Sequence, residues 1–140
     1  MLFNKWGVLL LLLILCYYSS IAQEKKKADS LINIFAIQEF SKRETAKILC
    51  KIAYNHPSPS ESLKYAKQSL VIALEIEDEL LEAEAWEEIS HVERRLGNNN
   101  SSFDAALKAL HIYEDKELFE RQAASYVQMA GNYISDKDYP

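Results

Sequence analysis

The sequence of 140 residues matches itself when it is shifted by forty positions. Residues 62–72 fall on residues 102–112, and residues 83–90 fall on residues 123–130, without a gap. Small side chains fall on small ones and large on large in the pairs Ser62/Ser102, Leu63/Phe103, Ala66/Ala106, Ser69/Ala109, Leu70/Leu110, Ile72/Ile112, Ala83/Ala123, Trp86/Tyr126, Ile89/Met129 and Ser90/Ala130. A size pattern shared by both helices of a pair predicts a repeated unit. Such a unit cannot bury its apolar face alone, so it packs against its neighbour.

The repeated unit is predicted to be helical. Apolar residues recur every three or four positions, β-branched alternation is absent, and the chain has only three glycines. Ser41 with Glu44 fits a capping box, and Ser58 with Glu61 fits another that has proline in the first helical position. The run 96–101, with Gly97 after Leu96, is typical of a helix end and a new start. These signals predict six helices at about 28–40, 42–55, 59–76, 79–96, 101–115 and 117–135.

Residues 1–22 have the features of a secretory signal peptide. Lys5 precedes an apolar run over 6–18, and the small residues Ser20 and Ala22 fit a cleavage site that would leave Gln23 as the new amino terminus. The run is shorter than the roughly 20 apolar residues of a comfortable transmembrane helix. We therefore expect an exported protein, periplasmic or at the outer face of the inner membrane. Membrane attachment through residues 1–22, retained as a signal anchor, is the alternative. Residues 23–41 are predicted to form an N-terminal helix.

Composition after export limits the partners and the redox chemistry. The chain after residue 22 carries 15 basic and 21 acidic side chains, a net charge of −6. That sign argues against a nucleic-acid partner, because phosphates must be neutralised by lysine and arginine. Cys50 is the one cysteine that survives cleavage, so it cannot form an internal disulfide, and we expect it to pack as a small hydrophobe.

Two stretches carry a recognisable repeat pattern. In "AEAWEEISHVERRLGNNNSSFDAALKALHIYE" an aromatic residue opens the first helix, Leu-Gly-Asn marks the turn, and alanines are spaced along the second helix. "AASYVQMAGNYISDKDY" repeats the beginning of this pattern. The chain thus resembles the tetratricopeptide repeats, in the long-period bacterial type found in the N-terminal regions of sensor histidine kinases and helix-turn-helix regulators. The period is forty rather than about 34, and HEAT-type repeats, with periods of about 40–47, are the alternative.

The resemblance implies an all-α fold in which antiparallel helix hairpins stack as a short right-handed α-solenoid. Repeats are expected over about 43–82 and 83–122, with an incomplete one over 123–140, within a repeat region of 42–140. The residues expected to pack the repeats together are Leu63, Ala66, Leu70, Trp86, Ile89, Gly97, Ala106, Ala109, Leu110, Tyr126, Met129 and Tyr133.

In this family the first helices of the repeats make the concave surface, which binds a protein or a peptide. Carried over to this chain, that partner-binding surface comprises Glu84, Glu87, His91, Arg94, Arg95, Val127 and Ile134. Some members use lysine and asparagine there to hold a C-terminal carboxylate. This chain has Glu87 and His91 at such places, so we do not expect a carboxylate clamp.

Chemistry-bearing motifs do not stand out in the sequence. His56, His91 and His111 lack metal-ligand spacing, and neither a glycine-rich phosphate loop nor a Gly-x-Ser-x-Gly elbow occurs. The acidic residues between Glu75 and Glu93 are either a solvated face or a docking surface for a basic partner. We expect a binding protein that is not an enzyme and needs no cofactor or metal. The alternatives are the sensory segment of a truncated membrane sensor kinase or transcription regulator, and a small exported enzyme or metal-binding protein.

The end of the chain carries an apolar stripe at helical spacing, formed by Tyr126, Met129, Tyr133 and Ile134. Tyr139 and Pro140 then suggest the turn into another helix. Repeat arrays normally end in a helix with a polar outer face. The stripe therefore predicts a piece of a longer repeat protein or, alternatively, a homo-oligomer formed through the open C-terminal end.

Overall fold

The computed structural model describes residues 5–37 and 39–135, and in these ranges all regular secondary structure is α-helical. The helices are α1 Lys5–Ile37, α2 Lys42–Asn55, α3 Pro59–Glu75, α4 Glu79–Arg95, α5 Asn99–Asp115 and α6 Phe119–Ser135. Side chains are described from residue 17 onward, apart from those at 18, 20, 21, 24 and 132–135. The all-helical class predicted from the sequence is confirmed for this part of the chain. The predicted turn at Tyr139 and Pro140 lies outside the described residues.

The first helix differs most from the prediction. A helix was expected over 28–40, whereas α1 has 33 residues, begins at Lys5 and continues without a break past the predicted cleavage site after Ala22. Within the described residues we find no helix that is long and apolar enough to cross a membrane. The bounds of α2 to α6 agree with the predicted ones to within two residues.

The four helices after Asn55 have one length and one spacing. Each has 17 residues, and they begin at Pro59, Glu79, Asn99 and Phe119, so a new helix starts every twenty residues. The forty-residue shift in the sequence is therefore the sum of two equal helix-plus-turn units. This explains a period longer than about 34 residues: both helices of the pair are long, and the turns between them stay short.

The turns between these helices also repeat every twenty residues. Glu77, Gly97 and Glu117 adopt φ values of 54°, 80° and 55°, in the left-handed region. The next residue in each turn donates its backbone N–H to a carbonyl five residues earlier: Asp78 to Ala73 at 3.0 Å, Asn98 to Glu93 at 2.9 Å and Leu118 to Tyr113 at 2.9 Å. This is the Schellman arrangement, which satisfies carbonyls left free at a helix end. Of these three left-handed residues, only Gly97 was identified from the sequence as the end of a helix.

The predicted N-terminal caps are confirmed in one case and wrong in the other. Ser41 accepts a hydrogen bond from the backbone N–H of Glu44, and the Glu44 carboxylate accepts one from the backbone N–H of Ser41 at 3.0 Å. Ser58 makes no side-chain cap, since its hydroxyl lies 3.0 Å from that of Ser60 instead. The start of α3 therefore depends on Pro59 in its first turn.

Helix packing follows the order of the chain, with additional contacts between alternate helices. Each helix packs against the next, and α2 also contacts α4, as α4 contacts α6. In the described part of the chain, α3 and α5 do not contact each other. The helices α2, α4 and α6 therefore lie side by side on one face, while α3 and α5 lie on the opposite face and are farther apart.

The core is built largely from small residues at the helix crossings. Its largest cluster joins Cys50, Ala53, Ala66, Leu70, Ala85, Ile89 and Ala105, with Leu63, Tyr65 and Trp86 partly buried against it. Alanines at these places let the helix backbones approach closely, and the larger residues fill the space between pairs. The thiol of Cys50 is buried here as expected.

The residues expected to pack the repeats together fall into three groups. Those that are buried are Ala66, Leu70, Ile89, Ala106, Ala109, Leu110 and Met129. Leu63 and Trp86 are partly buried, and Gly97 lies in the turn before α5. Tyr126 is 52% exposed, and the side chain of Tyr133 lies outside the described ones. Met129 packs against Ala106 and Leu110, so the expectation that the whole C-terminal stripe lacks a partner is wrong at this residue.

Two polar residues are buried at the junction of α4 and α5. Glu93 is 8% exposed and accepts a 2.7 Å hydrogen bond from Nδ2 of Asn98, which fixes the turn that follows α4. Ser102 is fully buried and donates its hydroxyl to the carbonyl of Ser90 at 2.7 Å, which joins α5 to α4. Because both groups are hydrogen-bonded, their burial does not leave unsatisfied polar atoms in the core.

Candidate functional site: a groove across α2, α4 and α6

Two adjoining cavities lie on the face formed by α2, α4 and α6. Their volumes are about 520 Å³ and about 400 Å³, and they share Tyr54, Glu87 and Glu88, so we treat them as one groove. Cavities of this size fall within the range of ligand pockets, about 300–1,000 Å³. The residues that line the groove are Lys47, Cys50, Lys51, Tyr54, Asn55, Glu84, Glu87, Glu88, His91, Arg94, Arg121, Ala124, Val127, Gln128 and Gly131.

Helical periodicity brings these side chains to one face. Residues three, four or seven positions apart in a helix lie on the same side of it. The groove receives residues 47, 51 and 54 from α2, residues 84, 87, 88 and 91 from α4, and residues 121, 124, 128 and 131 from α6. The helix α4 forms the floor of the groove, and α2 and α6 form its walls, because α4 contacts both of them.

The carboxylate of Glu87 is held by two neighbouring helices. Its Oε2 accepts a hydrogen bond from the phenol of Tyr113 on α5 at 2.9 Å and another from Nη1 of Arg121 on α6 at 3.3 Å. Arg121 also lies 3.7 Å from Oε1 of Glu84. Burial, followed by the nearby Glu87 charge, raises the pKa of Tyr113, which keeps its phenol protonated and able to donate. Arg121 thus lies beside two of the three carboxylates on the floor of the groove.

Glu88 is the third carboxyl group of the floor, and it lacks such partners. Its Oε2 is buried and makes no hydrogen bond to any described residue. Burial above all, together with the charges of Glu87 and Glu84, raises the pKa of Glu88 to about 7, while the charge of Arg95 acts in the opposite direction. A carboxyl group in this setting exchanges its proton near neutral pH, unlike an ordinary glutamate.

The other end of the groove is more aromatic. The rings of Tyr54 and His91 are stacked, with centroids 6.3 Å apart, and Nη2 of Arg94 lies 3.4 Å from Nδ1 of His91. Burial lowers the pKa of His91, and the charges of Arg94 and Arg95 lower it further, which favours the neutral imidazole. Val127 is 73% exposed on the α6 side. This end of the groove therefore combines the apolar surface of Tyr54 and Val127 with the charged groups of Glu87, Glu88 and Arg94.

The residues expected to bind a partner are mostly brought together here. Glu84, Glu87, His91, Arg94 and Val127 line the groove. Arg95 does not: its Nη2 donates to the carbonyls of His56 at 3.3 Å and Pro57 at 3.1 Å, and so ties the end of α4 to the turn between α2 and α3. Ile134 belongs to α6, but its side chain lies outside the described ones.

Several groove residues were missed from the sequence. Lys47, Lys51 and Tyr54 come from α2, whose repeat pattern is weak, and Arg121 comes from the start of α6. The spacing 47, 51 and 54, which repeats on α4 as 84, 88 and 91, would have identified the α2 wall once one face of α4 was assigned. Glu88 could not be singled out among the many glutamates of α4, because its isolation depends on tertiary packing.

Cys50 lines the groove, but its surroundings do not activate it. Its sulfur lies 3.1 Å from the hydroxyl of Ser69, which in turn donates to the carbonyl of Ala46 at 2.8 Å. Burial raises the pKa of the Cys50 thiol to about 11, which disfavours the nucleophilic thiolate. Across the described residues, His, Cys, Asp and Glu side chains do not form a group of three or more that could hold a metal ion. The arrangement is suited to holding a ligand by shape and charge.

Comparisons of the chain with protein-family models, with curated proteins and with solved structures find no match.

Proposed function

We propose that this protein is a non-enzymatic binding module of the tetratricopeptide type, in which the groove across α2, α4 and α6 holds a peptide segment of a partner protein. The observation that carries the proposal is that three alternate helices supply one continuous concave surface with unlike chemistry at its two ends. The proposal includes the finer architecture, a short right-handed α-solenoid of stacked hairpins, and it places the protein outside the cytoplasm.

The repetition along the chain supports the proposed architecture. Helices of equal length, joined by the same turn every twenty residues, are what a solenoid requires, since each unit must present the same packing surface to the next. In such an array the contacts between alternate helices on one face, and their absence on the other, produce curvature. In the described part of the chain, α4 contacts both α2 and α6, whereas α3 and α5 do not contact each other. This difference between the two faces is the one that a curved array requires.

The composition of the groove supports a peptide as the ligand. The charged end presents both signs, with Lys47 and Lys51 on one wall and Glu88 on the floor, which suits a chain of alternating side chains better than a single small molecule. The aromatic end, with Tyr54 and His91, offers surface for an apolar side chain. Charges at such an interface control partner choice and association rate.

A groove-filling variant tests the proposal. The purified chain is used to select from a random twelve-residue peptide display library, and each selected peptide is then measured against two variants. Ala124→Trp places a bulky ring in the groove, whereas Ala123→Trp makes the same change at the adjacent position, which is also exposed but does not line the groove.

We expect the library to yield peptides that bind the unmodified protein and Ala123→Trp alike, and that lose at least tenfold in affinity for Ala124→Trp. Failure to enrich any peptide would overturn the proposed function. Equal binding to all three proteins would place the binding surface elsewhere and would overturn it as well.

A further inference from the structure

Glu88 has a position that the packing of the protein does not explain. Its side chain lines both cavities of the groove, and its Oε2 is buried without a hydrogen-bond partner among the described residues. An unsatisfied buried carboxyl oxygen costs free energy, and the cost is larger when the group is charged. Groups of this kind in an otherwise satisfied structure mark a place where a partner is expected.

The cations of the chain that lie near Glu88 are engaged with other groups or too far from it to form a hydrogen bond. Arg121 bonds to Glu87 and lies close to Glu84, and Arg95 donates to two carbonyls of the turn between α2 and α3. Lys47 and Lys51 line the same cavity but make no ion pair with Glu88 in the described structure. Glu88 thus remains the carboxyl group of the floor without a counter-charge.

We propose that Glu88 receives a basic side chain, lysine or arginine, from the peptide segment bound in the groove. The inference rests on the proposed function and deepens it by naming the chemistry of the partner at one position. An ammonium or guanidinium group that approaches the Glu88 side chain from the groove supplies the counter-charge that its carboxylate lacks. The aliphatic stem of the same side chain lies along the apolar surface near Tyr54 and Ala124, which keeps its polar end directed toward the floor.

The electrostatics of the floor favour a cation at this point. Glu84 and Glu87 precede Glu88 on the same helix, and the charges of both disfavour its ionised form. A ligand cation relieves this repulsion, whereas a ligand carboxylate would add to it. The lysines of α2 could instead attract an acidic segment to the wall of the groove, and that result is one of the outcomes of the test.

The test compares three forms of the protein in the same peptide selection at about pH 8. Glu88→Gln keeps the shape of the side chain and removes its charge. Glu79→Gln makes the same change on the same helix at a carboxylate outside the groove, which pairs with Lys116. Circular dichroism and thermal unfolding of each form establish that it is folded, and we expect Glu88→Gln to unfold at a temperature no lower than the unmodified protein.

We expect peptides selected by the unmodified protein and by Glu79→Gln to share one position occupied by lysine or arginine, and peptides selected by Glu88→Gln to lack it. In the best-enriched peptide, replacement of that residue by norleucine removes the charge and keeps the stem. The replacement should reduce affinity at least tenfold for the unmodified protein and less than about twofold for Glu88→Gln.

Three results would overturn the inference. Peptides without a common basic position, peptides with a common acidic position, or equal losses on norleucine replacement for both proteins would each show that Glu88 does not hold a cation. These results leave the proposed function standing, because peptides still bind. A selection that enriches no peptide is different, since it overturns the proposed function and this inference with it.

Discussion

The phenolic oxygen of Tyr113 lies 2.9 Å from Oε2 of Glu87, and this hydrogen bond connects the core to the floor of the groove. Tyr113 is 1% exposed on α5, where it packs with Ala83 and Ala109. Glu87 faces the groove from α4 and also bonds to Arg121 of α6. One buried hydroxyl therefore fixes a carboxylate that in turn positions the third helix of the groove.

Replacing Tyr113 by phenylalanine should destabilise the protein by about 1–2 kcal/mol. The ring still fills its place in the core, but a hydrogen bond to a charged group is lost. Tyr126→Phe is the matched control, because its phenol makes a similar bond, 3.0 Å to Oε1 of Glu114, on an exposed surface. Urea unfolding checks both variants. An equal shift of the unfolding midpoint in the two variants would contradict the role given to the buried bond.

Two glycine-to-alanine substitutions should change stability in opposite directions. Gly97 has φ of +80° in the turn after α4, where an L-residue is strained, so Gly97→Ala should cost about 1 kcal/mol. Gly131 lies inside α6, and a Cβ there meets nothing within 4 Å, so Gly131→Ala should stabilise the protein by about 0.5–1 kcal/mol. Thermal unfolding of the two variants measures this directly. Loss of stability in both would show that the α6 position is more crowded than the structure has it.

The helical class, most of the helix bounds and the forty-residue period could be predicted from the sequence. Helix class and the bounds of α2 to α6 follow from the spacing of apolar residues, and the forty-residue shift follows from the size pattern at the crossings. The twenty-residue sub-period was not visible, because Glu77 and Glu117 occupy the left-handed positions that Gly97 marks in the middle turn. A glutamate adopts this conformation only because the Schellman hydrogen bonds on either side require it.

Only part of the candidate site could be predicted from the sequence. The resemblance implied which face of α4 would meet a partner, and four of the five α4 residues that it named line the groove. It did not reveal that Arg121 would pair with Glu84 and Glu87, or that Glu88 would remain without a partner. Both facts depend on how α6 lies against α4, which involves residues more than thirty positions apart. Arg95, expected on the same surface, lies outside the groove, where its guanidinium donates to the turn between α2 and α3.

Trp86 and Tyr126 occupy equivalent positions in the repeat, yet they should respond differently to truncation. Trp86 packs against Ala83, Ala109 and Tyr113. Nζ of Lys108 lies over its ring, 4.0 Å from the centroid. Trp86→Ala should therefore cost about 2–4 kcal/mol, since it leaves a cavity in a partly buried site. Tyr126→Ala should have a much smaller effect, because this ring is half exposed on α6. Similar losses in urea unfolding would indicate that an additional element covers Tyr126.

Glu88 should make the stability of the protein depend on pH near neutrality. In the unfolded chain the carboxyl group has its ordinary pKa of 4.5, whereas in the folded protein its pKa is raised to about 7. Between these values the folded state binds more protons than the unfolded state, so the free energy of unfolding falls as pH rises. The loss is nearly complete by about pH 8 and is of the order of 3 kcal/mol. Below pH 4.5 both states are protonated, and this contribution is fully present.

A comparison of the unmodified protein with Glu88→Gln isolates this effect from that of other groups. His91 acts in the opposite direction, because its pKa is lowered in the folded state, but it is present in both proteins. The other charged and titratable residues around Glu88, also common to both, are Lys47, Cys50, Lys51, Glu84, Glu87, Arg94, Arg95 and Arg121. Urea unfolding at about pH 5 and pH 8 should show that Glu88→Gln gains stability relative to the unmodified protein as pH rises. A difference between the two proteins that stays constant over this range would mean that Glu88 ionises as an ordinary surface glutamate, and that a partner's cation has no buried charge to satisfy.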